Sequence, residues 1–168
     1  MKMKKLLLIP ALAVAASTAG ADIPITGFIE SKCVIQSDTP GRFGNPTVDK
    51  LSTKAADGGV MPIIRYDIIT ASKYKAVITT PTDFSASPNL SDTINWTSTT
   101  IAGQMSDAAM SVFNTDKAIY NNGHTTEFDL VKSGSVWFNV TSEAEYGVGK
   151  SLPSGNYTAL IVAECIAK

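Results

Sequence analysis

The chain has 168 residues, 44% of them hydrophobic and 17% charged, with two cysteines, one histidine and a formal net charge of −1. A length in this range allows one domain or two very small ones, and the apolar content excludes disorder. Two cysteines exclude a dense disulfide scaffold or a four-thiolate zinc site, and the near-neutral balance gives no electrostatic footprint for nucleic acid.

Lys2, Lys4 and Lys5 precede an apolar run from Leu6 to Ala16 that only Pro10 interrupts, and Ser17, Thr18, Ala19, Gly20 and Ala21 follow it. This three-part pattern predicts a secretory signal peptide over residues 1–21, cleaved after Ala21. The run of about 11 residues falls short of the roughly 20 that a helix needs to cross a bilayer. Residues 22–168 then form one mature domain with 11 basic and 15 acidic side chains, a mildly acidic balance. Export implies the periplasm, a cell surface or the medium, where a disulfide persists. Cys33 and Cys165 are the only pair available, and their bridge would tie the first segment of the mature chain to its last. Two unpaired buried thiols are the alternative.

Along the mature chain, period two dominates. Ile23, Ile25, Gly27 and Ile29 alternate with Pro24, Thr26, Phe28 and Glu30, and Cys33-Val-Ile continues the segment, so one strand is expected over residues 23–36. Residues 39–46 are rich in Pro, Gly and Asn and read as loop, with an irregular stretch through Gly58 and Gly59 behind them. Strands are expected over 60–70 and 73–80, and a Ser/Pro-rich loop over 83–90. Shorter candidates cover 93–100, 109–113, 118–120, 125–131 and 135–141, with Asn121-Asn122-Gly123-His124 as the clearest hairpin turn. Residues 105–112 are the best candidate for a short helix. Last, Tyr157, Ala159, Ile161, Ala163 and Cys165 alternate with Asn156, Thr158, Leu160, Val162 and Glu164 over 156–166. Seven to nine short strands without an internal repeat or linker point to an all-β sandwich or a small barrel.

The catalytic inventory is poor. His124 is the only histidine and sits in an Asn/Gly-rich turn, so neither a multi-histidine metal site nor a Ser-His-Asp triad can be assembled. Glu127/Asp129 and Glu143/Glu145 are carboxylate pairs at i, i+2, the minimum a retaining glycosidase needs, but that spacing is common by chance on the solvent face of a strand. No phosphate loop, calcium loop or basic-aromatic cluster is present, and no cofactor is implied. Trp96, Trp137, Tyr66, Tyr74 and Tyr157 are candidates for a sugar-stacking face, with core packing as the plainer reading.

The two ends carry the most specific signal. The opening, Asp22-Ile-Pro-Ile-Thr-Gly-Phe-Ile-Glu-Ser-Lys-Cys33, resembles the start of chaperone–usher fimbrial subunits, in which an alternating apolar run passes through a glycine and reaches a cysteine. The closing segment, Leu152-Pro-Ser-Gly-Asn-Tyr-Thr-Ala-Leu-Ile-Val-Ala-Glu-Cys165, is similar to the last strand of that family. The resemblance implies an incomplete immunoglobulin-like sandwich of about seven strands whose missing strand another molecule supplies. It also implies a periplasmic chaperone, an outer-membrane usher, neighbouring subunits and a host glycan or protein receptor as partners. Ile23, Ile25, Gly27 and Ile29 would be the donor strand, and Tyr157, Ala159, Ile161 and Ala163 one face of the acceptor groove. In the family pattern the second cysteine lies on the second strand; here it is four residues from the end. The rival expectation is a self-contained secreted sandwich that binds carbohydrate or protein and is stapled by Cys33–Cys165. An exported enzyme is the third.

Overall fold

Among the described residues regular pairing begins at Cys33. The computed structural model describes residues 26–28, 32–69, 73–106, 120–147 and 149–168. Among them the strands are β1 (Cys33–Thr39), β2 (Gly44–Thr47), β3 (Lys50–Ser52), β4 (Ile63–Ile68), β5 (Tyr74–Thr79), β6 (Ile94–Met105), β7 (Tyr120–Asn122), β8 (Thr125–Leu130), β9 (Gly134–Tyr146) and β10 (Val162–Ala167). All pairings are antiparallel. One sheet runs β1-β4-β9-β3-β2, with β6 also paired to β9, and the other runs β10-β5-β8-β7. The fold is an all-β sandwich.

Strand β9 organises the larger sheet. Its first half pairs with β4, its second half with β3 on the same side, and β6 lies along nearly its whole opposite edge. Alternate residues of β9 are buried, from Val136 and Phe138 through Val140 and Ser142 to Ala144 and Tyr146. Val136, Phe138 and Val140 share one core with Ile64, Tyr66 and Ile68 on β4 and, across the sandwich, Tyr74, Ala76, Ile78, Phe128 and Leu130. Tyr66 spans both layers: it packs edge-on against Phe138 at 5.4 Å and donates its hydroxyl to the Val77 carbonyl at 3.2 Å. Burial pushes its phenol well above the usual value.

The structure changes several boundaries. Of the strand expected over 23–36, residues 26–28 carry no strand pairing, Ile23, Ile25 and Ile29 lie outside the described residues, and β1 starts only at Cys33. The region expected to be irregular holds the β2–β3 hairpin followed by a 3₁₀ turn at Ala55–Asp57. There the backbones touch: a Cβ on Gly44 would lie 2.1 Å from the Asp57 carbonyl oxygen, and one on Gly59 2.3 Å from that of Ser52. Gly44 and Gly59, which in sequence suggested a loop and a turn, are what permits this approach. Of the helix expected over 105–112, Met105 ends β6 and Ser106 is a bend, and the rest, with the strand expected over 109–113, lies outside the described residues. The turn at Gly123 joins β7 to β8 with φ +60°, a conformation suited to glycine.

The final strand is shorter than its pattern. Residues 156–161 keep the alternation of half-buried and exposed positions but pair only through an isolated bridge, Ala86 to Thr158. With residues 81–90 they roof the end of the larger sheet that the four-stranded sheet does not reach. A ladder forms only from Val162, against β5.

Candidate functional site

The two sheets end side by side at β1 and β10, and a concavity opens between the far end of β1 and the segment that leads into β10. Cys33 at the head of β1 and Cys165 near the end of β10 are joined by a disulfide, with Cα atoms 6.4 Å apart. From that bridge the strands diverge in opposite chain directions. Ile35 on β1 and Ile161 and Ala163 on the other wall follow as partly buried residues packed on the core. Beyond them the groove widens into a cavity of about 670 Å³. One wall is Ser37 with Pro40 to Phe43, the other residues 155–161, and the floor includes Leu51, Thr53, Pro62 and Ser142 from the larger sheet.

Hydrogen bonds hold that floor. Thr53 donates its amide to the Ser142 carbonyl at 2.9 Å, and its hydroxyl oxygen accepts the Ser142 amide at 2.8 Å. At the roof, Phe84 packs on Trp96 and on Tyr157, each with centroids 5.0 Å apart, and Phe43 completes the cluster at 6.2 Å from Phe84 and 6.4 Å from Trp96. The Tyr157 hydroxyl donates to the Pro153 carbonyl at 2.6 Å, and burial raises its phenol above the ordinary value.

The residues expected from sequence are distributed as follows. Tyr157, Ala159 and Ile161 line the cavity, and Ala163 continues the same inward row on β10. Of the donor candidates only Gly27 is described; it has nothing within 4 Å of its Cβ position, and the adjacent Phe28 is 88% exposed. Trp96 and Tyr157 meet in the aromatic cluster, Tyr66 and Tyr74 are core, and Trp137 lies apart on the outer face of the larger sheet with the Arg65 guanidinium 5.9 Å from its ring. The candidate carboxylates do not converge on the cavity. Glu127 pairs with Lys75 at 2.7 Å, Asp129 with Lys168, and Glu143 with both Lys50 and Lys54, while Glu145 is exposed. Lys50 first, then Lys54, holds the Glu143 carboxyl below its usual range. The His124 backbone carbonyl accepts the Thr80 amide and hydroxyl. Among the described residues no group of three His, Cys, Asp or Glu side chains is placed to hold a metal ion.

Sequence reading missed the wall from Pro40 to Phe43 and the roof residue Phe84, each a single aromatic in a stretch of Pro, Gly and Ser. The one available signal was a large apolar residue without a periodic context.

The last strand is also an edge. Among the described residues β10 pairs with β5 alone, and its other side bears no ladder. Leu160, Val162 and Ile166 are 64%, 52% and 48% exposed. Unpaired backbone groups beside an open apolar groove favour the addition of a strand. No known family model, curated protein or solved structure matches the chain.

Proposed function

We propose that the protein is a non-enzymatic structural or adhesive subunit of a bacterial surface fimbria, built by β-strand addition between subunits. The observation that carries the reading is the open cavity beside β1, whose other wall, residues 155–161, runs directly into β10, a strand that among the described residues pairs with β5 alone. On this reading the sandwich is immunoglobulin-like and lacks its last strand. The N-terminal run around Ile23, Ile25, Gly27 and Ile29 of one subunit fills the groove of the next, against Tyr157, Ala159, Ile161 and Ala163. Lengths agree: ten residues from 22 to 31 span about 33 Å as a strand, and so do ten from 156 to 165. A signal peptide over residues 1–21 delivers the chain to the periplasm, where a chaperone protects the groove and an usher passes the subunit to the surface. A host glycan or protein is the receptor of an adhesive subunit.

A synthetic peptide spanning residues 22–31 tests this, added to protein that begins at Lys32. Saturable binding, abolished by Ile25→Asp with Ile29→Asp in the peptide and by Ala159→Trp in the folded acceptor, is the expected result. A folded acceptor that binds neither its own N-terminal peptide nor that of a neighbouring subunit sinks the proposal.

The aromatic cluster beside the cavity favours one rival, a self-contained sandwich that binds carbohydrate or protein and is stapled by Cys33–Cys165. Glycan-array binding that is lost in folded Tyr157→Ala, with no response to the peptide, would favour it.

A further inference from the structure

Exposed sheet edges are usually blocked by a charge, a proline or brevity. Four edges of this sandwich follow that rule: β1 carries Asp38 and a register shift before Pro40, β2 contains Pro46, β7 has three residues, and β10 carries Glu164. Strand β6 does not. It runs for 12 residues, Ile94–Met105, with no charged residue and no proline, and its one irregularity is the shift between Ala102 and Gln104. Among the described residues its only ladder is with β9. Asn95, Thr97, Thr99 and Ile101 are exposed on its outer face, and Ile101 is 48% accessible.

A second observation falls on the same strand. Among the described residues two buried side-chain polar atoms have no hydrogen-bond partner, Trp96 Nε1 and Thr100 Oγ1. Both sit on the inner face of β6, four residues apart with Ser98 midway. Each such orphan costs about 1–3 kcal/mol.

We propose that β6 is a dimerisation edge, pairing antiparallel with β6 of a second copy about a two-fold axis at Ser98. The occupant is a second copy because an isologous antiparallel pair sets a strand against its own reverse, so any charge on β6 would meet or adjoin its like. A neutral strand avoids that repulsion. In this register Thr97 of each copy lies opposite Thr99 of the other on the outer face, a favourable cross-strand pair. On the inner face Trp96 of each copy lies opposite Thr100 of the other; both orphaned atoms are closed off within one copy, so pairing of the indole donor with the hydroxyl requires these side chains to turn toward the seam. The two orphaned positions are thus brought together by the same symmetry. This edge is on the far side of β9 from the groove, and its pairing does not depend on the strand-addition reading.

The test is analytical ultracentrifugation of the mature chain, with amide exchange, for the wild type and two variants. The wild type is expected to be a dimer whose Trp96, Ser98 and Thr100 amides, which face away from β9, gain protection as concentration rises. Thr97→Lys with Thr99→Lys is expected to halve the mass while circular dichroism and the melting temperature are retained, and Ile25→Asp with Ile29→Asp to remain dimeric. A monomeric wild type overturns the proposal, as does a lysine variant that still dimerises, or edge protection that is independent of concentration. Association lost in the Ile25/Ile29 variant and kept in the lysine variant also overturns it, by assigning the contact to the groove.

Discussion

At the centre of the sandwich Tyr66, Ile78, Phe128 and Phe138 are at most 1% exposed, whereas on the β1/β10 flank Cys33, Ile35, Ile161, Ala163 and Cys165 remain only partly buried. The alternation along β10 is as regular as that along β9. What differs is the neighbourhood: β9 has strands on both sides and, opposite its first half, the four-stranded sheet, while β10 has β5 alone beside it among the described residues. Apolar periodicity fixes which face of a strand turns inward, and the number of neighbours fixes how completely that face is closed. The disulfide joins the two sheets on the flank where packing alone leaves them apart.

The comparison breaks most sharply at the bridge. Cys33→Ser with Cys165→Ser is expected to cost about 5 kcal/mol in the chain-entropy description of a loop this long, read by denaturant unfolding. Amide exchange near Ile35 and Ala163 should accelerate more than exchange near Ile78 and Phe138; equal acceleration would mean that the flank and the centre open as one unit.

Packing supplies the next contrast. Phe138→Ala is expected to cost about 4 kcal/mol, and Ile161→Ala about 1–2 kcal/mol, because its side chain already faces the groove. Comparable losses at both sites would remove the distinction between a closed centre and an open flank. Tyr66→Phe keeps the ring and removes the hydroxyl bonded to Val77, an expected loss of about 1–2 kcal/mol by thermal melting.

The smallest effect concerns the surface of the larger sheet. Glu143→Gln, which breaks the pairs with Lys50 and Lys54, is expected to cost about 0.5–1 kcal/mol near neutral pH. Because the folded carboxyl titrates below its usual value of 4.5, this contribution is complete above that value and disappears as the pH falls through the folded one. Acidification should therefore destabilise the wild type more than the variant.

Two core strands were legible because large apolar residues keep period two along them: Tyr74 to Thr79 and Thr125 to Leu130 appear almost at their expected bounds. The second half of β9 was not, because its inner residues include Ser142 and Ala144, a polar and a small side chain that break the apolar alternation. Strand β6 ran past its expected end because Gly103 sits at a bulge where a Cβ would collide with the Asn139 amide, and a glycine reads as a stop. Of the groove, the wall at Tyr157, Ala159 and Ile161 was visible in the alternation. The facing wall depends on where β1 is carried by its pairing with β4, a non-local fact.

The bridge between the first and last strands has a mechanical consequence. Tension applied to the chain on either side of Cys33 and Cys165 passes from one sulfur to the other and bypasses the 132 residues of separation between them. Under load the β-ladders would carry almost none of the pull, and the protein would lengthen only by the slack outside the bridge. For a chain held at its two ends the sandwich would hang on an oxidised tether, and a reductant would turn it from inextensible to extensible.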